Sequence, residues 1–181
     1  MRRLRYGVAM SLDGFIAGPN GEYDWIVSDP AIDFAAIWAR FDTLLMGRRT
    51  FEIARVRAAH WPDLGHHWIV VSRTLKPVEH PGVTILSSGV QEAVAALKAQ
   101  PGKDIWLMGG GVLFRSLLDA GLVDAVDVTV MPVLLGSGTP LLPEGPRQTL
   151  HLKESKALPS GVLVLSYAVP PELSGRRSGV Q

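Results

Sequence analysis

Leu44-Leu45-Met46-Gly47-Arg48-Arg49-Thr50-Phe51 and Ile105-Trp106-Leu107-Met108-Gly109-Gly110-Gly111-Val112 share one pattern. In each, an apolar run of strand length stops at glycine, and amphipathic sequence resumes at once. The backbone N–H groups at the start of such a helix have no intrahelical partners and point outward, so the terminus attracts anions. Two of them, one with paired arginines, predict a ligand with several phosphates held along the edge of a sheet. Each segment also has a plainer reading. The triple glycine makes a tight turn that lets a helix pack closely, and Arg48 and Arg49 sit solvated on a capped surface helix. The two segments together favour the shared phosphate role.

Composition bounds what surrounds them. The 181 residues suit one sizeable domain, with 47% hydrophobic and 19% charged residues, a balance that buries a full core and excludes a disordered chain. A formal net charge of +1 supplies no global field for nucleic acid or an anionic membrane, so any anion site has to be local. With no cysteine there is no disulfide framework, thiolate metal site or thiol nucleophile. The basic start Met1-Arg2-Arg3 is followed by an apolar stretch that Asp13 and Gly14 interrupt, and no run approaches the roughly 18 apolar residues of a membrane span. The expectation is a soluble cytoplasmic protein.

Strand and helix signals alternate. Strands are predicted at 4–10, 43–46, 68–71, 83–86 and 105–108. Helices are predicted over 30–41, on the face Phe34, Ile37, Trp38 and Phe41, and over 49–55, 88–99 and 112–120. Ser88-Gly89-Val90-Gln91 reads as a capping box with Val90, Val94 and Leu97 facing inward, and Gly121 as a C-terminal stop. After it, 125–133 alternates with β-branched residues, 150–157 suits an edge strand, and Pro159-Ser160-Gly161 turns a hairpin into 162–169. The prediction is an α/β fold: a mostly parallel central sheet of about eight strands, about four flanking helices and a C-terminal antiparallel hairpin. Residues 1–169 form one domain, and 170–181, rich in proline, glycine, serine and arginine, a mobile tail.

Five segments in order resemble the dihydrofolate reductase superfamily: Val8-Ala9-Met10-Ser11-Leu12-Asp13-Gly14-Phe15-Ile16-Ala17, Gly21-Glu22 with Trp25-Ile26, Met46 to Glu52, Val71-Ser72-Arg73 and Met108 to Gly111. Ser-Leu-Asp-Gly and Gly-Glu with Trp-Ile resemble the reductase domain of the bifunctional riboflavin-biosynthesis deaminase/reductase more than folate reductase. The resemblance spans residues 4 to 169 and implies a three-layer dihydrofolate reductase-like fold. It also implies an NADPH-dependent reductase acting on a flat nitrogen heterocycle, its ribityl relative or a carbonyl, and pairing as a homodimer. Carried over position by position, the backbone of Gly47, Arg48, Arg49, Thr50, Gly109, Gly110 and Gly111 holds the pyrophosphate, and Val112 and Leu113 also belong to the cofactor site. Arg48, Arg49, Ser72 and Arg73 surround the adenosine 2′-phosphate. Ala9, Ile16 and Ala17 line the nicotinamide pocket, Thr139 lies in a loop near the cofactor, and Gly109 to Gly110 is an expected cis peptide. Arginine's planar fork suits phosphate oxygens independently of any resemblance, and the absence of Gly-x-Gly-x-x-Gly excludes the common dinucleotide fingerprint.

Other residues carry two readings each. Asp13 contacts substrate or bonds the turn that follows it. Asp33, in the first turn of the helix entering the cleft, is the catalytic and substrate-binding candidate, though aspartate there also suits the helix dipole. Trp25 is a cleft wall or a core aromatic. His60, His66 and His67 lack a His-x-Glu or Cys-x-x-Cys companion, so they read as loop residues rather than a metal site, and the zinc deaminase half of the riboflavin enzyme is not expected here. Alongside the reductase stands a non-catalytic nucleotide-binding module of the same fold. A phosphotransferase is weakened by the lack of Gly-x-x-x-x-Gly-Lys-Ser/Thr and of an acidic cluster for magnesium.

Overall fold

A computed structural model describes residues 1–57 and 65–170; His60 and the tail after Pro170 lie outside them. The first half runs β1 (Leu4–Ser11), β2 (Phe15–Ala17), α1 (Phe34–Ala39), β3 (Phe41–Gly47), α2 (Arg48–Arg57), β4 (His67–Val71) and β5 (Val83–Leu86). It continues with α3 (Val90–Ala99), β6 (Asp104–Met108), α4 (Gly111–Asp119), β7 (Ala125–Met131), β8 (Thr139–Pro140), β9 (His151–Ala157) and β10 (Leu163–Ala168). Eight strands form one sheet in the order β5-β4-β3-β6-β1-β7-β10-β9. All neighbours are parallel as far as β7, and β10 and β9 close the edge antiparallel. This is the expected three-layer dihydrofolate reductase-like architecture.

Alternation within the strands builds the two apolar layers. Leu45 faces a core with Leu4, Tyr6, Ile105 and Leu107 that α3 and α4 cover through Val94, Phe114 and Leu117. Val90 and Leu97 pack against it as the helical period requires, and Tyr6 stacks on Phe114 with ring centroids 3.8 Å apart. On the opposite face Leu44, Met46 and Val70 meet Trp38 of α1 and Phe51 and Ala54 of α2. Buried parallel strands read as near-continuous apolar runs for this reason. The helix predicted over 112–120 is α4, which stops where Gly121, at φ 66°, donates its N–H to Leu118 O at 2.9 Å.

The sequence reading needs three corrections. The helix assigned to 30–41 occupies only Phe34–Ala39, and Phe41 begins β3, buried and stacked on Trp106 at 5.0 Å. An apolar residue three positions after Trp38 satisfies the helical period whether or not the helix continues, so periodicity could not place the boundary. The capping box at Ser88 does not form, because Gly89 is the N-cap of α3, in the left-handed region at φ 61° with no side-chain cap bond. The two-stranded pair of β2 with β8, outside the main sheet, was not anticipated; strands of three and two residues carry too little period to detect.

Candidate active site

Because β3 and β6 are adjacent and parallel, with Leu45 opposite Leu107, their carboxyl ends lie side by side. The two glycine turns therefore emerge at the same sheet edge, where open α/β sheets bind ligands. The turns also touch: a Cβ built on Gly109 would lie 3.4 Å from Thr50 Oγ1. Gly109 and Gly110 adopt φ 63° and 84°, which only glycine takes freely, and so bring the chain from β6 into α4. Every described peptide is trans, so the cis bond expected between them is absent, and two left-handed glycines accomplish the turn instead. No side chain caps α4, leaving its first N–H groups directed out of the helix at the edge.

A cleft of about 1850 Å³ opens at this edge and continues across the sheet face. It exceeds the roughly 300–1,000 Å³ common for a single small ligand. Gly47, Thr50, Gly109, Gly110, Gly111, Val112 and Leu113 line its edge, with Thr139 across from them. Pro140 O comes so close that a Cβ on Gly111 would meet it at 2.9 Å, which holds β8 against the second turn. Ala9, Ile16 and Ala17 line the adjoining stretch.

Three arginines reach the cleft from the β3 and β4 side: Arg48, Arg49 and Arg73. Arg48 is engaged, donating to Glu52 Oε1 at 2.7 Å and Thr74 Oγ1 at 2.8 Å. Arg49 and Arg73 have no hydrogen bond or ion pair among the described residues, so two guanidinium groups remain to meet an anion. Ser72, predicted beside them, does not line the cleft. Its hydroxyl is buried and accepts the N–H groups of Thr74 and Leu75 at 3.2 and 3.1 Å, closing the turn that carries Arg73.

The family of the RibD C-terminal domain matches residues 2–164. This chain belongs to it. The RibD-type domain is 35% identical over 179 residues to the uncharacterized protein YyaP of Bacillus subtilis (strain 168), covering 92% of this chain and 94% of that one. Against riboflavin biosynthesis protein RibD of Corynebacterium ammoniagenes the identity is 27% over 148 residues, 74% of this chain and 44% of the other. A Shewanella sp. PV-4 crystal structure, provisionally named a riboflavin biosynthesis protein, superposes with a TM-score of 0.79 at 27% identity, covering 93% of this chain and 99% of that one.

The carboxylates and the tryptophan singled out in the sequence of this RibD-type domain lie off the cleft. Asp33 is the N-cap of α1, one position before the first turn, and accepts the Ala36 N–H at 2.9 Å. Asp13 accepts from Ser11 Oγ at 2.6 Å and from the N–H groups of Gly136 and Leu135 at 2.7 and 3.0 Å. The Ser11 hydroxyl foremost holds its carboxyl below the usual carboxylate range against an opposing loss of hydration, and those amides add to the lowering. It ties the β1 to β2 turn to the loop before β8. Trp25 donates its indole N–H to Glu22 O at 3.0 Å and packs against a small cluster of Met131, Leu158 and Val162. His66 meets Trp38, His67 pairs with Thr84 Oγ1 at 2.8 Å, and no metal-binding cluster exists among the described residues. None of the described helices is long and apolar enough to cross a membrane.

Among the cleft residues that the sequence reading passed over are Gly7, Trp106, Arg5 and Asp127. One signal was present. A glycine inside a strand often marks a close approach by another group, and a Cβ on Gly7 would lie 2.5 Å from Trp106 Nε1.

Proposed function

We propose that this chain is an NADPH-dependent reductase of a small heterocyclic substrate, pterin- or ribosylaminopyrimidine-like, or of a carbonyl compound. One observation carries the reading: the two glycine turns sit together at a single edge of the sheet, beside two arginines that have no partner among the described residues. The chain's own residues fit a phosphorylated dinucleotide. Around Gly47 a Cβ would meet nothing within 4 Å, so the backbone there is open to a ligand. The uncapped start of α4 offers N–H donors to a pyrophosphate. Arg49 and Arg73 suit a 2′-phosphate, the group that separates NADPH from NADH. Ala9, Ile16 and Ala17 offer a small apolar surface for the nicotinamide. When bound, the cofactor supplies the two-electron reducing equivalent, and the protein supplies binding and orientation.

The same reading takes the protein as soluble and cytoplasmic, with neither nucleic acid nor membrane as partner. It also takes it as a homodimer, supported by the outermost strand β9, all of whose residues are exposed. A non-catalytic nucleotide-binding module is the second reading, favoured by the engagement of Asp13 and Asp33 in structural bonds away from the cleft. Calorimetric titration with NADPH and NADH, followed by cofactor consumption with pterins and ribosylaminopyrimidines, separates the two. The reductase binds NADPH more tightly and consumes it, whereas the module only binds it. Indifference to NADPH at millimolar concentration overturns both.

A further inference from the structure

Beyond the cofactor edge, the cleft runs over the face of β6, β1, β7 and β10, and its floor there is built around one indole. Trp106 stands opposite Arg5 in the register, and its Nε1 donates to Gly7 O at 3.0 Å. The indole thus reaches over the backbone of β1, and only a glycine leaves room for it. Phe41 stacks on Trp106 at 5.0 Å and Trp38 meets it tilted at 5.0 Å, so the ring is fixed. It is only partly covered and lines the cleft. A large, immobilised, partly exposed indole lining a cleft is a stacking surface for a flat ring.

The charges beside it are paired. Asp127 lies opposite Gly7 on β7 and Ser166 opposite Asp127 on β10. Arg5 donates to both carboxylate oxygens of Asp127 at 2.8 Å, and Ser166 Oγ donates to it at 2.6 Å. The Arg5 side chain is only 8% exposed, whereas that of Asp127 is 25% exposed. What faces the ligand is therefore a carboxylate able to accept one more N–H, with its charge balanced by a guanidinium committed to it. The remaining charged residues on this stretch of lining, Arg40 and Glu154, are exposed and of opposite sign.

We infer that Trp106, seated on Gly7, is the specificity-determining floor of the acceptor site, and that it selects a flat, uncharged ring with N–H groups at its edge rather than a phosphorylated ligand. The inference rests on the reductase reading for the identity of the neighbouring ligand. Trp106 acts by stacking, Asp127 by accepting from the ring edge, and Arg5 by positioning Asp127.

Riboflavin and riboflavin 5′-phosphate test it, because they share one flat ring and differ by a charged group. Each is titrated by flavin fluorescence quenching into the full chain held at saturating NADPH, and NADPH affinity is measured separately by calorimetry. The wild type is expected to bind riboflavin at least as tightly as its phosphate. Trp106→Leu is expected to weaken riboflavin on the order of tenfold or more, the scale of one lost aromatic stack. Trp106→Phe restores most of that loss, and neither variant changes NADPH affinity. Absence of riboflavin binding, displacement of riboflavin by NADPH, or an unchanged affinity in Trp106→Leu overturns the floor. Equal loss of riboflavin and NADPH affinity in that variant overturns it too, because Trp106 then only supports the fold. A phosphate form bound tenfold more tightly overturns the selection for an uncharged ring. Failure of the wild type to bind NADPH, with riboflavin binding intact and lost in Trp106→Leu, overturns the cofactor reading and leaves the floor standing.

Discussion

The two halves of the cleft solve binding in opposite ways. The edge formed by the turns after β3 and β6 offers backbone N–H groups and two guanidinium groups, Arg49 and Arg73, without a partner among the described residues. The inner half offers a fixed indole and a carboxylate whose charge Arg5 balances. Unpaired donors and net positive charge select a multiply charged ligand, whereas a satisfied, neutral surface around an aromatic ring selects by shape. On the proposed reading, one end of the cleft takes phosphate beside a region that gives phosphate no advantage.

Breaking the turn should have the largest effect. A branched side chain at φ 84° and ψ 86° is strained, so Gly110→Val should lose about 1–3 kcal/mol locally and weaken NADPH by about 10- to 100-fold, as calorimetry would show. If the affinity is unchanged, the turn holds no phosphate. Arg49→Ala and Arg73→Ala remove one charge-assisted contact each. Each should weaken NADPH by about 1.5–3 kcal/mol, roughly tenfold or more, and leave NADH untouched. Equal losses for both nucleotides would move these arginines away from the 2′-phosphate.

The inner half is probed by crowding it. Gly7→Ala drives a Cβ against Trp106 Nε1, which Phe41 and Trp38 prevent from moving freely, so thermal unfolding should report a loss of about 1–3 kcal/mol. NADPH affinity should persist, since the clash lies away from the turns. Asp33→Ala removes the cap of a six-residue helix and should cost about 1 kcal/mol of stability while leaving NADPH affinity intact. A large fall in cofactor consumption at unchanged stability would restore Asp33 as a catalytic candidate.

The smallest effect concerns the loop that leads into β8. Because the Asp13 carboxyl titrates below its unfolded value of about 3.9, its contribution is fully present above that pH and is lost as the pH falls through the lower folded value. Hydrogen exchange at the Leu135 and Gly136 amides should therefore speed up as the solution is acidified below about pH 4 in the wild type. In Asp13→Asn this acid-dependent part should vanish. An unchanged acid response in the variant would show that another group holds the loop.

The outer end of the cleft was legible because it is local. Glycine after an apolar run, followed by helical period, fixes a turn within a few residues, and two such turns needed only a parallel sheet to meet. Asp33 had a structural reading, a helix start, and its bond is of that kind. Asp13 was read as bonding the turn after it, but its carboxylate accepts instead from Ser11 and from the amides of Leu135 and Gly136, a loop that only the tertiary fold brings near. Ser72 was legible as a neighbour of Arg73, but not as a hydroxyl already occupied by the amides two and three residues on.

By itself, the sequence determined the layers, the mostly parallel sheet and the glycine turns, since propensity and period act over short separations. Tertiary structure alone decided that Trp106 rests on Gly7, 99 residues away, and that Arg5 commits its charge to Asp127, 122 residues away. Those contacts depend on which strands become neighbours, and strand order is settled by the packing of the whole chain rather than by any one segment.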